Sequence, residues 1–89
     1  MAKLSKEITI KSSQGLHARP AALFVQIVNK YHCEVTITKN GEKVNGKSIM
    51  GILTLGAEKG CTVLIEVDGE ESQKLLDDLE VLLTKENDE

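Results

Sequence analysis

Aromatic side chains are scarce in the sequence, with one Phe, one Tyr and no Trp among 89 residues. With so few aromatic rings there is no platform on which unpaired bases could stack. Positive charge is in deficit too. A formal net charge of −3 and a pI near 5.4 exclude the generic basic footprint of a nucleic-acid-binding domain. Two cysteines are too few for a disulfide-built mini-protein. No stretch approaches the ~20 apolar residues of a transmembrane helix, and Met1 to Glu7 has no apolar run of the kind a secretory signal carries. Linkers, low-complexity tracts and internal repeats are missing as well. The expectation is one cytoplasmic domain over residues 1–89, with Cys33 and Cys61 reduced, no membrane insertion and no direct contact with nucleic acid.

What is present is an ordinary globular balance, 40% hydrophobic and 28% charged, enough for one core and too little for two. Leu4, Ile8 and Ile10 alternate with Ser5, Glu7, Thr9 and Lys11, which predicts a strand with one buried face. Ser12 to Gly15 breaks that pattern. From Ala18 to about Tyr31 the apolar residues run too long for one strand and contain no Gly, so a helix is expected. Pro20 suits its first turn, where backbone N–H groups have no intrahelical partner. Cys33, Val35 and Ile37 alternate with Glu34, Thr36 and Thr38 as a second strand. Asn40-Gly41 is a two-residue hairpin signal, with Glu42 to Asn45 returning.

Ser48 and Gly56 bracket Ile49 to Leu55, an N-cap and a C′ residue around two turns of helix. The internal Gly51 counts against that helix by ~1 kcal/mol relative to Ala. Thr62 to Val67 reads as a strand. Leu75, Leu76, Leu79, Leu82 and Leu83 form a helical stripe, with Glu70 and Glu71 near its start and Lys85 near its end, as the macrodipole favours. Lys85 to Glu89 reads as a loose acidic tail. The order β-α-β-β-α-β-α predicts an α+β fold with helices on one face of a mainly antiparallel sheet.

Gly15-Leu16-His17-Ala18-Arg19-Pro20 is the most informative segment. It sets a histidine at the N-cap of the first helix, directly after a Gly-containing loop. Unpaired N–H groups and the positive end of the helix dipole stabilise a phosphate there. Arg19 can approach the same anion with a planar, permanently charged fork. The bland alternative is a surface histidine beside a solvated arginine. His32, expected at the C-terminal end of the same helix, is explained by its interaction with the dipole. Two histidines without Cys or carboxylate at ligand spacing do not suggest zinc, and no cofactor is expected. Ser48 is accounted for as an N-cap worth ~1 kcal/mol, yet a phosphate at a helix N-terminus is also tolerated. Ile49, Met50 and Leu53 next to it form an apolar face that is either core or an adaptable binding surface.

Gly15-Leu16-His17-Ala18-Arg19-Pro20-Ala21, followed by Val44-Asn45-Gly46-Lys47-Ser48-Ile49-Met50-Gly51, closely resembles the HPr family, the histidine-containing phosphocarriers of the bacterial sugar phosphotransferase system. The resemblance extends over essentially the whole chain and implies an open-faced β-sandwich with strand order 1-4-2-3 and three helices on one side. It implies that His17 carries the phosphoryl group on Nδ1, that Arg19 is the active-centre arginine and that Pro20 shapes the helix start. Ser48 would be the regulatory serine modified by an ATP-dependent HPr kinase/phosphorylase. Ala18, Arg19, Pro20, Ala22 and Gln26, with Ile49, Met50 and Leu53, would form the docking surface. Cys33 and Cys61 would stand at opposite ends of neighbouring strands, beyond the ~7 Å reach of a disulfide.

Ser12 departs from the Asn of many members, and Gln26 and Asn29 from the lysines of some, which weakens charge steering towards acidic partners. The implied activity is phosphoryl carriage rather than enzymatic turnover, from enzyme I to enzyme IIA, by a monomer. A catabolite-control transcription factor is the implied regulatory partner. A regulatory paralogue in some bacilli resembles the family but lacks the active histidine, and His17 weighs against that reading. Two rivals remain from other classes. One is a binding module governed by Ser48. The other is a small hydrolase, for which no Ser-His-Asp arrangement can be argued from the spacings.

Overall fold

Strand alternation and the leucine stripe build two layers. The structure, a computed structural model, describes residues 2–13 and 15–85. Its elements are β1 (Ala2–Thr9), α1 (Ala18–Val28), β2 (Cys33–Lys39), β3 (Glu42–Asn45), α2 (Ile49–Thr54), β4 (Thr62–Gly69) and α3 (Ser72–Thr84). The four strands form one antiparallel sheet in the order β1-β4-β2-β3, the arrangement expected. Leu4 stands opposite Val67 and Ile8 opposite Val63, while Val35 faces Val67 and Ile37 faces Ile65 across β2 and β4. These residues share the face covered by the helices, because side chains alternate between the two faces of a strand.

Phe24 and Val28 from α1, Ile52 from α2 and Leu75, Leu79 and Leu83 from α3 are fully buried over that sheet face. Each such side chain contributes ~1.5–3 kcal/mol by leaving water, against a net stability of roughly 4–13 kcal/mol for a chain of this length. The sheet's other face is open and charged. Glu66 on β4 is paired there with Lys3 of β1 at 3.6 Å and Lys43 of β3 at 3.4 Å, and accepts a hydrogen bond from Thr36 of β2 at 3.2 Å. Hydrogen bonding to Lys43 lowers its carboxyl below the usual range, helped by the charges of Lys43 and Lys3 and by the Thr36 hydroxyl, against the opposing effect of desolvation.

The hairpin signal is realised as Asn40 (φ 51°) and Gly41 (φ 84°), both left-handed as a type I′ turn needs. Cys33 opposes Gly69 at one end of the β2–β4 pair and Cys61 precedes Thr62 at the other. Both thiols are free.

Three details differ from expectation. α1 ends at Val28, and the residues up to Tyr31 close the end in tighter turns, Lys30 N–H to Ile27 O and Tyr31 N–H to Val28 O, each 3.1 Å. The chain has to reverse there to start β2 at the buried Cys33. His32 accordingly lies beyond the last turn of α1, exposed, and does not meet the helix dipole. Glu70 and Glu71 likewise stop short of the first turn of α3, which holds no acidic residue; Glu71 is the N-cap, in a left-handed conformation (φ 58°). Ser72 begins the helix and its hydroxyl donates to Gly69 O at 2.6 Å. Most of the acidic tail, 86–89, lies outside the described residues. No described helix is long and apolar enough to cross a membrane.

Candidate functional site

The segment between β1 and α1 is held on both sides by backbone. Ile10 exchanges hydrogen bonds with the chain before β4, its N–H to Cys61 O and its carbonyl from Gly60 N–H, both 2.8 Å. Further along, Leu16 N–H donates to Ala57 O at 2.8 Å. Gly15 adopts φ +71°, and a Cβ there would lie 2.6 Å from Ala57 O and 2.7 Å from Glu58 Cα. Only glycine combines that dihedral with so close an approach. The buried Leu16 then anchors the chain just before His17.

His17 is the N-cap of α1, in extended backbone (φ −94°, ψ −165°), and its carbonyl accepts Ala21 N–H at 3.0 Å. Pro20 is buried in the first turn, where its missing N–H costs no helix bond. His17 is half-buried, and its Nε2 atom is shut off from solvent. That leaves Nδ1 as the candidate ring nitrogen for a reagent arriving from outside. Arg19, the sole arginine of the chain, is exposed two residues on. This arrangement brings an imidazole, a helix N-terminus and a guanidinium together in one short segment. A concavity of about 160 Å³ does occur, but it is lined by Lys3, Glu34, Thr36, Lys43, Glu66 and Asp68 on the open sheet face, away from the helices.

Ser48 caps α2, its Oγ accepting Gly51 N–H at 2.9 Å. The turn before it is pre-formed: Asn45 Oδ1 accepts Lys47 N–H at 2.8 Å, and Asn45 O accepts Ser48 N–H at 3.1 Å. The glycine inside α2, a cost in isolation, has a local reason. A Cβ on Gly51 would stand 3.1 Å from Ser48 Oγ and 3.3 Å from Val44 Cβ, so the short helix sits close on β3.

α1 and α2 pack against one another, which brings the expected docking residues onto neighbouring elements. Met50 is 71% exposed and Ile49 40%, while Leu53 is half-buried against the core. On α1, Ala18 and Gln26 are exposed, Ala22 is intermediate and Pro20 is inside. Leu53 and Pro20 thus support the surface more than they present it. Leu23, 39% exposed, was not singled out from the sequence. Its spacing, four residues after Arg19 and three before Gln26, marks it as sharing their outward face.

Residues 4–85 match the family model described as "PTS HPr component phosphorylation site". The chain is 41% identical over 83 residues to the HPr-like protein Crh of Halalkalibacterium halodurans, covering 93% of this chain and 99% of that one. Its fold is similar to the crystal structure of the phosphocarrier protein HPr from Bacillus anthracis, with a TM-score of 0.88, 38% identity and coverage of 93% and 99%. It is also similar to an HPr dimer from Thermoanaerobacter tengcongensis, with a TM-score of 0.72, 40% identity and the same coverage. That last relative is a dimer, at odds with the monomer expected for this chain.

Proposed function

The chain belongs to the HPr family of phosphocarrier proteins, and on that premise we propose that it carries a phosphoryl group on His17 from phospho-enzyme I to enzyme IIA. Members of the family are carriers rather than enzymes. The observation that supports the assignment to His17 is its setting. The ring stands at the N-terminus of α1 with Nε2 buried, so Nδ1 is the nitrogen that meets the donor. In the transfer, the Nδ1 lone pair attacks phosphorus in line while Nε2 keeps the ring proton. The P–N bond to the donor histidine breaks, and its electron pair returns to that ring. The Ala18 and Arg19 amides at the helix start and the Arg19 guanidinium stabilise charge on the equatorial oxygens. The reverse sequence delivers the group to enzyme IIA. An exposed site serves a carrier, which has to release its phosphate as readily as it takes it.

Residues 1–89 act in this reading as one cytoplasmic carrier domain. The docking surface is made by Ala18, Ala22 and Gln26 of α1 with Ile49 and Met50 of α2, an apolar centre with a polar rim of the kind transient partners use. Ser48 adds regulation. Its hydroxyl sits at the head of α2 beside Ile49 and Met50, where an HPr kinase/phosphorylase would place a phosphate in the docking surface and a catabolite-control transcription factor would read it. The presence of His17 weighs against a purely regulatory protein.

Incubation with enzyme I and phosphoenolpyruvate tests the proposal. A carrier gains one acid-labile phosphoryl group and loses it on addition of enzyme IIA. A chain that stays unmodified is not a carrier.

A further inference from the structure

Lys39 ends a run of inward-facing positions on β2. Cys33, Val35 and Ile37 are buried towards the helices, and residue 39 is the next on that face. A lysine there requires partners for its ammonium group. It has two: Nζ donates to Leu55 O at 3.1 Å and to Gly56 O at 3.3 Å. Leu55 is the C-cap of α2, and Gly56 follows it in a left-handed conformation (φ +62°). The last carbonyls of a helix lack intrahelical donors and carry the negative end of its dipole, so an ammonium group there is doubly favoured. The next residue, Ala57, accepts Leu16 N–H and packs on Gly15. His17 follows directly.

We infer that Lys39 is a positioning residue whose ammonium pins segment 55–57, and through that segment fixes both the end of α2 and the loop that carries His17. The hairpin end of the sheet is thereby tied to the docking helix and to the acceptor histidine at once. The geometric half of the inference stands on the hydrogen bonds alone. Its functional half rests on the phosphocarrier reading.

The test compares wild type with Lys39→Met, which keeps the stem and removes the ammonium, and with Lys39→Arg, which restores a charged donor. Amide hydrogen exchange is followed by NMR at Leu16, Gly56 and, as a core reference, Ile65, together with the rate of phosphorylation by enzyme I. Lys39→Met is expected to accelerate Leu16 and Gly56 about ten-fold while Ile65 is unchanged, because local opening is separable from global unfolding. Phosphoryl acceptance is expected to fall by roughly three- to ten-fold, as a small misplacement of a reacting group does, and Lys39→Arg is expected to recover both. Should Lys39→Met fail to fold, Lys39→Gln carries the same comparison.

Unchanged exchange at Leu16 and Gly56 overturns the inference, as does acceleration of Ile65 by the same factor, which would make Lys39 a general stabiliser. Selective exchange with unaltered phosphorylation overturns the functional half. A wild-type chain that enzyme I does not phosphorylate refutes the carrier reading and leaves the exchange comparison to judge Lys39.

Discussion

Replacing Gly15 by alanine separates two costs that a glycine can hide. Its φ of +71° is left-handed, and the added Cβ would meet Ala57 O at 2.6 Å and Glu58 Cα at 2.7 Å. Both are backbone atoms, so neither can swing aside. Gly41 is the control: φ is +84°, and beyond its own chain neighbours no heavy atom lies within 4 Å of the same added carbon. The left-handed dihedral alone costs ~1–2 kcal/mol for a residue with a Cβ, and both variants bear it. Gly15→Ala adds an overlap that the loop has to relieve by moving, for which overpacking precedents give ~1–3 kcal/mol. The difference between the two is therefore about 2 kcal/mol, which at ~4–8 °C per kcal/mol separates their melting temperatures by roughly 8–16 °C. Thermal unfolding followed by circular dichroism measures it. The relief also shifts Leu16 and with it His17, so phosphoryl acceptance in Gly15→Ala is expected to fall ~10-fold or more, whereas Gly41→Ala accepts at the wild-type rate. Equal melting temperatures for the two alanines would refute the clamp between the acceptor loop and residues 57–58.

Three further outcomes are expected. Tyr31 donates to Asp78 Oδ2 at 2.6 Å, and that hydrogen bond, with desolvation and the Asp78 charge, pushes its phenol up to about 12. The folded chain thus keeps a proton that the unfolded chain loses near pH 10. The stabilisation is complete below about pH 10 and is lost as the pH rises towards 12. Urea midpoints measured over that range should fall in wild type and fall less in Tyr31→Phe, which starts lower at neutral pH. Arg19→Lys keeps the charge and loses the bidentate fork; stopped-flow transfer from phospho-enzyme I should slow while the melting temperature holds, since Arg19 is exposed. Ser48→Ala gives up the Gly51 N–H bond and should cost ~1 kcal/mol in urea unfolding without slowing acceptance. Phosphorylated Ser48 should instead slow it ~30- to 150-fold by desolvation of the dianion against a docked partner.

The parts of the fold legible in the sequence are those governed by local rules. Asn40-Gly41 announces its turn because both positions need a positive φ, and the leucines of α3 announce a buried stripe because the helix repeat puts them on one side. The His17 and Ser48 segments were legible for a similar reason: each pairs a helix start with residues suited to that end. What was hidden depends on contacts distant in sequence. The start of α3 is set by Gly69, whose φ of +147° lets it pack on the backbone of His32 and on Cys33, so Glu70 and Glu71 are spent in the turn. Leu23 is told from a core leucine only by its spacing from Arg19 and Gln26, because an apolar helix of this composition has more apolar residues than the sheet can cover. Lys39 carries no local signal in the sequence. Its role emerges only when the C-terminus of α2 is folded back against it.

The central claim is that His17, through Nδ1, is the phosphoryl acceptor. Nitrogen-15 NMR of the chain after incubation with enzyme I and phosphoenolpyruvate addresses it most directly, because the two histidines and the two nitrogens of each ring give separate signals. The account predicts a phosphorus-coupled Nδ1 on His17, an unchanged His32, and loss of the signal in a His17→Ala variant that remains folded. Phosphate on His32, on Nε2 of His17, or on neither ring would contradict it.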